Sequence, residues 1–243
     1  MRMLTFSKRC AREILRDPLT LFFGLGFPLV LLALLSAIQA NIPVSLFEIG
    51  NLAPGITVFG LSFLTLFSAT LLARDRESAF LQRLYTTPLS ASDFILGYML
   101  PILPIALGQC LICYLFAAAL GLTVSINIVY AVIGILPMAI FNISLGLLCG
   151  SVLGVKQVGG ICGALLTNLS AWLSGVWFDL NLVGGFFQKA AYALPFVHAV
   201  EMERALFAGD FQAAASHLPV VLGYCVLATL AAVLCFLRQM KNQ

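Results

Sequence analysis

The stretch RDRESAFLQRLYTTPLSASDF, residues 74–94, is an island of charge in an apolar chain. Five charged side chains, Arg74, Asp75, Arg76, Glu77 and Arg83, fall close together in a protein that is only 9% charged. On either side, residues 52–73 and 94–120 contain no Asp, Glu, Lys, Arg or His. A helix rises about 1.5 Å per residue, so roughly 20 apolar residues cross the hydrocarbon of a bilayer. The island therefore reads as a turn between two membrane spans.

The same reading extends outward over the whole chain. Its 243 residues are 61% hydrophobic, with a mean hydropathy of +1.05. Soluble domains hold about 45–50% apolar and about 25% charged residues, which excludes a soluble fold. Six spans are expected, at residues 19–38, 52–73, 94–120, 126–155, 157–178 and 218–237, all free of charge and of histidine. The third and fourth are longer than a span requires. Tilt or kinks absorb the excess, and Pro101, Pro104 and Pro137 supply kink sites. The first apolar run exceeds a usual signal-peptide core and no small-x-small site follows it, so a cleaved leader is not expected.

Eleven of the 13 basic residues lie in segments on one side of this arrangement, among them Arg2, Lys8, Arg9, Arg12, Arg16, Arg74, Arg76, Arg83 and Lys156; only Lys189 and Arg204 lie on the other. The positive-inside rule then places both termini in the cytoplasm. The net charge of +3 expresses this asymmetry and not a nucleic-acid surface. The N-terminal segment is expected to form an interfacial helix, with Lys8, Arg9, Arg12 and Arg16 on one arc and Met3, Phe6, Cys10 and Ile14 on the other. The apolar arc is expected in the acyl boundary and the basic arc on anionic lipid.

Few residues suit chemistry. The C-x-x-C at Cys110 and Cys113 sits mid-span without a setting that favours thiolate, so it reads as small packing residues. His198, Glu201 and Glu203 are near in sequence but lack metal-ligand spacing, and no metal site is expected. There is no phosphate-binding G-x-x-x-x-G-K-[ST] and no G-x-S-x-G elbow. No catalytic residue and no cofactor site is expected. Uncharged spans count against ion-coupled transport. Gln109, Asn142 and Asn168 are the amides that either bond between helices or line a substrate path. Gly146, Gly150 and Gly154 form a doubled G-x-x-x-G for close helix packing, whether within the chain or with a second copy.

Residues 39–51 and 121–127 are loops too short for a substrate-binding domain. Residues 179–217 form the long non-cytoplasmic stretch. Its apolar middle, residues 182–197, is too short to span; punctuated by Gly184, Gly185 and Pro195, it is expected to be re-entrant or interfacial. Residues 198–211 read as a short helix ending at Gly209. Within the opening island, Phe80, Leu81, Leu84 and Tyr85 share one helical face, and Pro88 ends it. That face either lies on the membrane or docks into a soluble cytoplasmic partner.

Two stretches resemble the permease subunits of ABC-2-type transporters. ESAFLQRLYTTPLSASDFILGYML, residues 77–100, looks like that family's cytoplasmic coupling segment. LSGVWFDLNLVGGFFQKAAYALPFVHAVEMERAL, residues 173–206, is similar to its fifth-helix exit and re-entrant hairpin. Asp179 stands where many members have Pro, and Val183-Gly184 replaces a usual Met-Pro. The resemblance implies an all-α integral membrane protein and a single permease domain. It has six transmembrane helices, an interfacial helix over residues 1–17, a coupling helix within 74–90 and an external hairpin within 179–217 that includes Phe186 and Phe187. It implies an ATP-driven exporter in which a separate cytoplasmic ATPase binds ATP and Mg, and in which two permease chains, identical or related, pair. Glu77, Phe80, Leu81, Arg83, Leu84, Tyr85 and Pro88 would couple the two subunits. Drug-like molecules, lipids and glycolipids fit the uncharged spans as cargo. A lone secondary transporter or channel, or a non-transporting membrane scaffold, remain the alternatives.

Overall fold

The structure is a computed structural model in which residues 2–42, 47–78 and 91–241 are described. Every regular element among them is helical, as lipid demands, because only a helix or a closed barrel pairs its own backbone groups away from water. Among the described residues, five helices are long and apolar enough to cross a membrane. They are α2 (Phe22–Gln39), α3 (Ile49–Glu77), α4 (Ala91–Ala119), α5 (Asn127–Val152) and α10 (Phe211–Lys241). The stretch expected as a further span, α6, is helical over 155–173 but is not one of the five; it joins two α-helical pieces through a π-helical run at Gly159–Leu166. The remaining helices among the described residues are α1 (Arg2–Leu15), α7 (Leu180–Val183), α8 (Gly185–Ala193) and α9 (Pro195–Ala208), with a single helical turn at Pro18–Leu21 leading into α2.

The centre of the bundle is α3. Its most apolar stretch is 89% buried, against 22% for that of α2, so α3 is enclosed by protein and α2 stands at the periphery. The most extensive packing is between the second half of α3 and α5, followed by α5 with α10 and α9 with α10. The prolines act unequally. α5 is interrupted at Ile135, just before Pro137, whereas α4 runs through Pro101 and Pro104 without a break in its helix. The seven cysteines are unpaired, and Cys110 and Cys113 are buried.

The helix ends follow local chemistry. Gly209 caps α9 in the left-handed region (φ +81°), a conformation that costs glycine little. This is the expected stop, although the helix begins at Pro195, whose fixed φ and missing N–H suit a first turn. α5 ends where Leu153 and Gly154 become extended, so Gly154 lies outside the helix that carries Gly146 and Gly150.

One expectation is corrected at α1. Phe6, Ser7, Cys10 and Ile14 are buried, and Phe6 packs edge-on against Phe94 and Tyr98 of α4. The apolar arc is therefore covered by protein, not by acyl chains. Lys8, Arg12 and Arg16 stay exposed, whereas Arg9 turns inward. The physical reason is the buried carboxylate of Asp75, which Arg9 reaches only when α1 lies against α3 and α4.

Candidate functional site

The end of α3 carries the first turn of the charged island. Phe80, Leu81, Arg83, Leu84, Tyr85 and Pro88, expected to form the coupling face, lie outside the described residues. Their root, residues 74–77, is described, and it joins most of the bundle.

Asp75 is the hub. It is only 2% exposed. Arg9 donates to both of its oxygens at 2.6 Å, and the Tyr98 hydroxyl donates to Oδ2 at 2.8 Å. A bidentate guanidinium and a phenol together satisfy a carboxylate that burial would otherwise penalise. The bond to Asp75 raises the Arg9 pKa, which burial alone would lower. Glu13, 2.9 Å from Arg9, is raised chiefly by burial. Beside this hub, Arg9, Arg12, Arg16 and Arg74 line an open cleft of about 680 Å³ together with Glu13 and Asp17, and Arg74 lies 3.5 Å from Asp17.

Arg76 and Glu77 reach the other way. A helix leaves its last carbonyls and first N–H groups without partners. Arg76 donates to the Ser151 carbonyl and, at 2.6 Å, to that of Leu153, so it caps the end of α5 with a cation where the helix dipole favours one. The Gln239 amide of α10 also reaches the Ser151 carbonyl. Glu77 accepts from the Val155 N–H at 2.8 Å, at the start of α6. Residues 74–77 thus tie α3 to α1, α4, α5 and α6 at one end of the bundle. Reading the sequence missed Asp75, Arg9, Tyr98 and Arg76 as a set. The available signal was an acid between two arginines at the edge of a span; its partners are 66 and 23 positions away.

The glycines contact α3 within the same chain. A Cβ at Gly146 would strike the Ser68 hydroxyl and the Thr65 carbonyl, and one at Gly150 would sit 2.9 Å from Ala69 Cα. Gly154 faces Glu77 Oε1, which a Cβ would meet at 3.2 Å. The three amides are not brought together. Gln109 is fully buried and donates to the Thr57 carbonyl at 3.3 Å, joining α4 to α3. Asn142 accepts from Thr65 at 3.1 Å, joining α5 to α3. Asn168 is exposed and donates to Ala164 on its own helix.

At the opposite end, α7 and α8 make a short hairpin about Gly184 and Gly185, both at positive φ (+61° and +60°). Asp179 starts it by accepting from the Asn181 N–H at 2.9 Å. Phe186 is 88% exposed, Phe187 packs near Phe178, and Pro195 is buried. Behind the hairpin, His198 donates from Nε2 to the Tyr192 carbonyl at 2.9 Å and pairs through Nδ1 with His217 at 3.0 Å. His217 lies 3.4 Å from Glu201, which also accepts from Tyr192 at 3.0 Å. Glu203 is turned away from this group. It is fully buried, accepts from the Tyr114 hydroxyl at 3.1 Å through Oε1, and has no partner at Oε2 among the described residues. Burial pushes its pKa well above the usual carboxylate range, and the Tyr114 bond opposes this only in part. The adjacent Arg204 donates to the Asn51 and Gly175 carbonyls; burial lowers its pKa against the opposing pull of Glu201 and Asp179. Uncharged spans therefore do not mean an interior free of ionisable groups, because Asp75 at the end of α3 and Glu203 on α9 both enter it.

No curated protein matches the chain. The family model for the ABC-2 type transporter matches residues 1–208. Charged residues gathered at the end of a helical bundle, around the root of an island between two spans, accord with that match over most of the sequence, and the chain belongs to the ABC-2 type transporter family, as a membrane transport component.

Proposed function

We propose that the chain is the permease subunit of an ATP-driven exporter that moves a hydrophobic or amphiphilic molecule across the cytoplasmic membrane. Both termini and the 74–90 segment face the cytoplasm. A separate ATPase subunit, which holds ATP and Mg, docks on the face made by Phe80, Leu81, Leu84 and Tyr85, and two permease chains pair. Six crossings follow if α6 completes the set, with the α7–α8 hairpin shaping the outer exit.

The observation that carries this reading is the root of the island. Residues 74–77 bond to four other helices. A displacement applied to residues 79–90 reaches Asp75, Arg76 and Glu77 first. Through them it pulls on α1, α4, α5 and α6 together. A loop that merely joined two spans has no need of such ties, whereas a lever driven from outside does.

The test is affinity purification of the full chain from its native membrane in mild detergent, with ATP hydrolysis assayed on the eluate. A stoichiometric ATPase is expected. Leu84→Asp is expected to abolish its recovery, because the substitution places a charge in an apolar contact. Undiminished recovery with Leu84→Asp would refute the docking face. A second reading, a transporter driven by a proton gradient, draws support from the buried carboxyl of Glu203. It predicts transport that survives ATP depletion and collapses when the gradient is dissipated.

A further inference from the structure

Glu203 has no part in the coupling mechanism, yet a carboxyl with an unpartnered oxygen in a helical interior is costly and calls for a reason. The space beside it supplies one. A groove of about 410 Å³ opens between α5, α9 and α10. Ile133, Gly134 and Pro137 form one wall, Met202 and Leu206 the floor, and Ala215 and Leu218 the other wall. Its size falls within the roughly 300–1,000 Å³ of small-molecule sites. Tyr130 and Phe211 also line it and stand edge to face, with ring centroids 5.1 Å apart. The groove and Glu203 meet at Gly134. A Cβ placed there would overlap the Leu206 terminal methyl and lie 3.8 Å from Glu203 Oε2. The free oxygen is thus just behind the groove wall, beside the Leu206 side chain that lines the groove.

We propose that this groove binds a lipophilic cation, with the apolar body between α5 and α10, the charge over the Tyr130 and Phe211 rings, and Glu203 as its counter-ion. The proposal deepens the exporter reading by naming a cargo class and rests on it in that respect; the binding itself does not. The lining is apolar, so it suits a hydrophobic body, and two features select a cation over the uncharged tail of a lipid. Aromatic faces attract positive charge. The acid beside the floor, Glu203, has a spare acceptor.

In the empty site Glu203 holds its proton; an arriving permanent cation displaces that proton to bulk water. The groups around the carboxyl support this exchange. From α4, Tyr114 and Cys110 face it. On α9 itself, Glu201 turns to Tyr192 and His217, and Arg204 to the Asn51 and Gly175 carbonyls. On α10, His217 is taken up with His198 and Glu201, and on α5 Tyr130 packs against Phe211. None of these supplies Glu203 with a competing cation.

The experiment uses two ions of the same size and opposite charge, tetraphenylphosphonium and tetraphenylborate. Their binding to the full chain is measured in phosphatidylcholine nanodiscs without any ATPase, so the outcome is independent of ATPase docking. The phosphonium is expected to bind with the stronger affinity, and to bind about tenfold tighter per pH unit while the carboxyl is still protonated. Glu203→Gln keeps the Tyr114 bond and is expected to weaken the phosphonium by about tenfold or more without weakening the borate. Ala215→Phe, at an exposed position on the groove wall, is expected to block both ions. Equal binding of the two ions, or phosphonium binding unaltered in Glu203→Gln, would overturn the proposal. If Glu203→Gln does not fold, full phosphonium binding by Ala215→Phe overturns it equally.

Discussion

Asp75→Ala is expected to loosen α1 from the bundle and to destabilise the protein by about 3 kcal/mol, at the lower end of what breaking a buried ion pair costs. The loss has two sources. The Tyr98 hydroxyl, in a fully buried side chain, is left without its acceptor. Arg9 loses a bidentate partner, while its ion pair with Glu13 stays in place. Because Arg9 is partly exposed and retains some hydration, a larger cost is not expected. Unfolding of the purified protein in detergent measures the effect. A double-mutant cycle with Arg9→Ala separates the pair from the burial of each residue, and a coupling of about 1–3 kcal/mol is expected. Strict additivity would show that α1 is held by the Phe6, Cys10 and Ile14 face alone. If the exporter reading holds, the same variant still recovers the ATPase but stimulates its hydrolysis poorly, because the docking face is intact and its link to α1 and α4 is cut.

Gly150→Leu is expected to prevent stable folding. The Cβ position lies 2.9 Å from Ala69 Cα and closer still to the Ala69 carbonyl, and both belong to backbone that cannot rotate away. Relief requires α3 and α5 to separate, and theirs is the most extensive packing in the bundle. Overpacking of a core costs about 1–3 kcal/mol even where side chains adjust, so a collision of helix backbones is expected to exceed that range. Gly146→Leu meets the Thr65 carbonyl and is expected to behave alike. Gly108→Ala and Gly223→Ala serve as controls, since a Cβ at either meets nothing within 4 Å. They are expected to be neutral, or stabilising by up to about 1 kcal/mol through helix propensity. Yields of monodisperse protein after size exclusion distinguish the two groups. Normal yield of Gly150→Leu would mean that α3 and α5 do not pack as closely as described.

These results would test what sequence and structure contribute separately. The glycine spacing of four identified a flat strip on one helix but not its partner. That partner is α3, and Gly154 is not on the helix at all, because the chain becomes extended at Leu153. Gln109, Asn142 and Asn168 were legible as polar residues in apolar runs. Only packing distinguishes the two that join helices to α3 from the one that is exposed.

By itself the sequence determined that the protein is helical and lies in a membrane and that Gly209 stops a helix; five of the six expected spans correspond, among the described residues, to helices long and apolar enough to cross. These are local properties, set by hydropathy, helical period and the conformations single residues accept. The tertiary structure alone decided that the apolar arc of α1 rests on α4, that Arg9 meets Asp75, and that Glu203 is buried behind a groove while Arg204 beside it bonds to two carbonyls. A helical period shows which residues share a face but not which helix that face meets. In a bundle this apolar many pairings bury similar area, and the choice falls to a few buried charges and close glycine contacts whose partners lie far away in the chain.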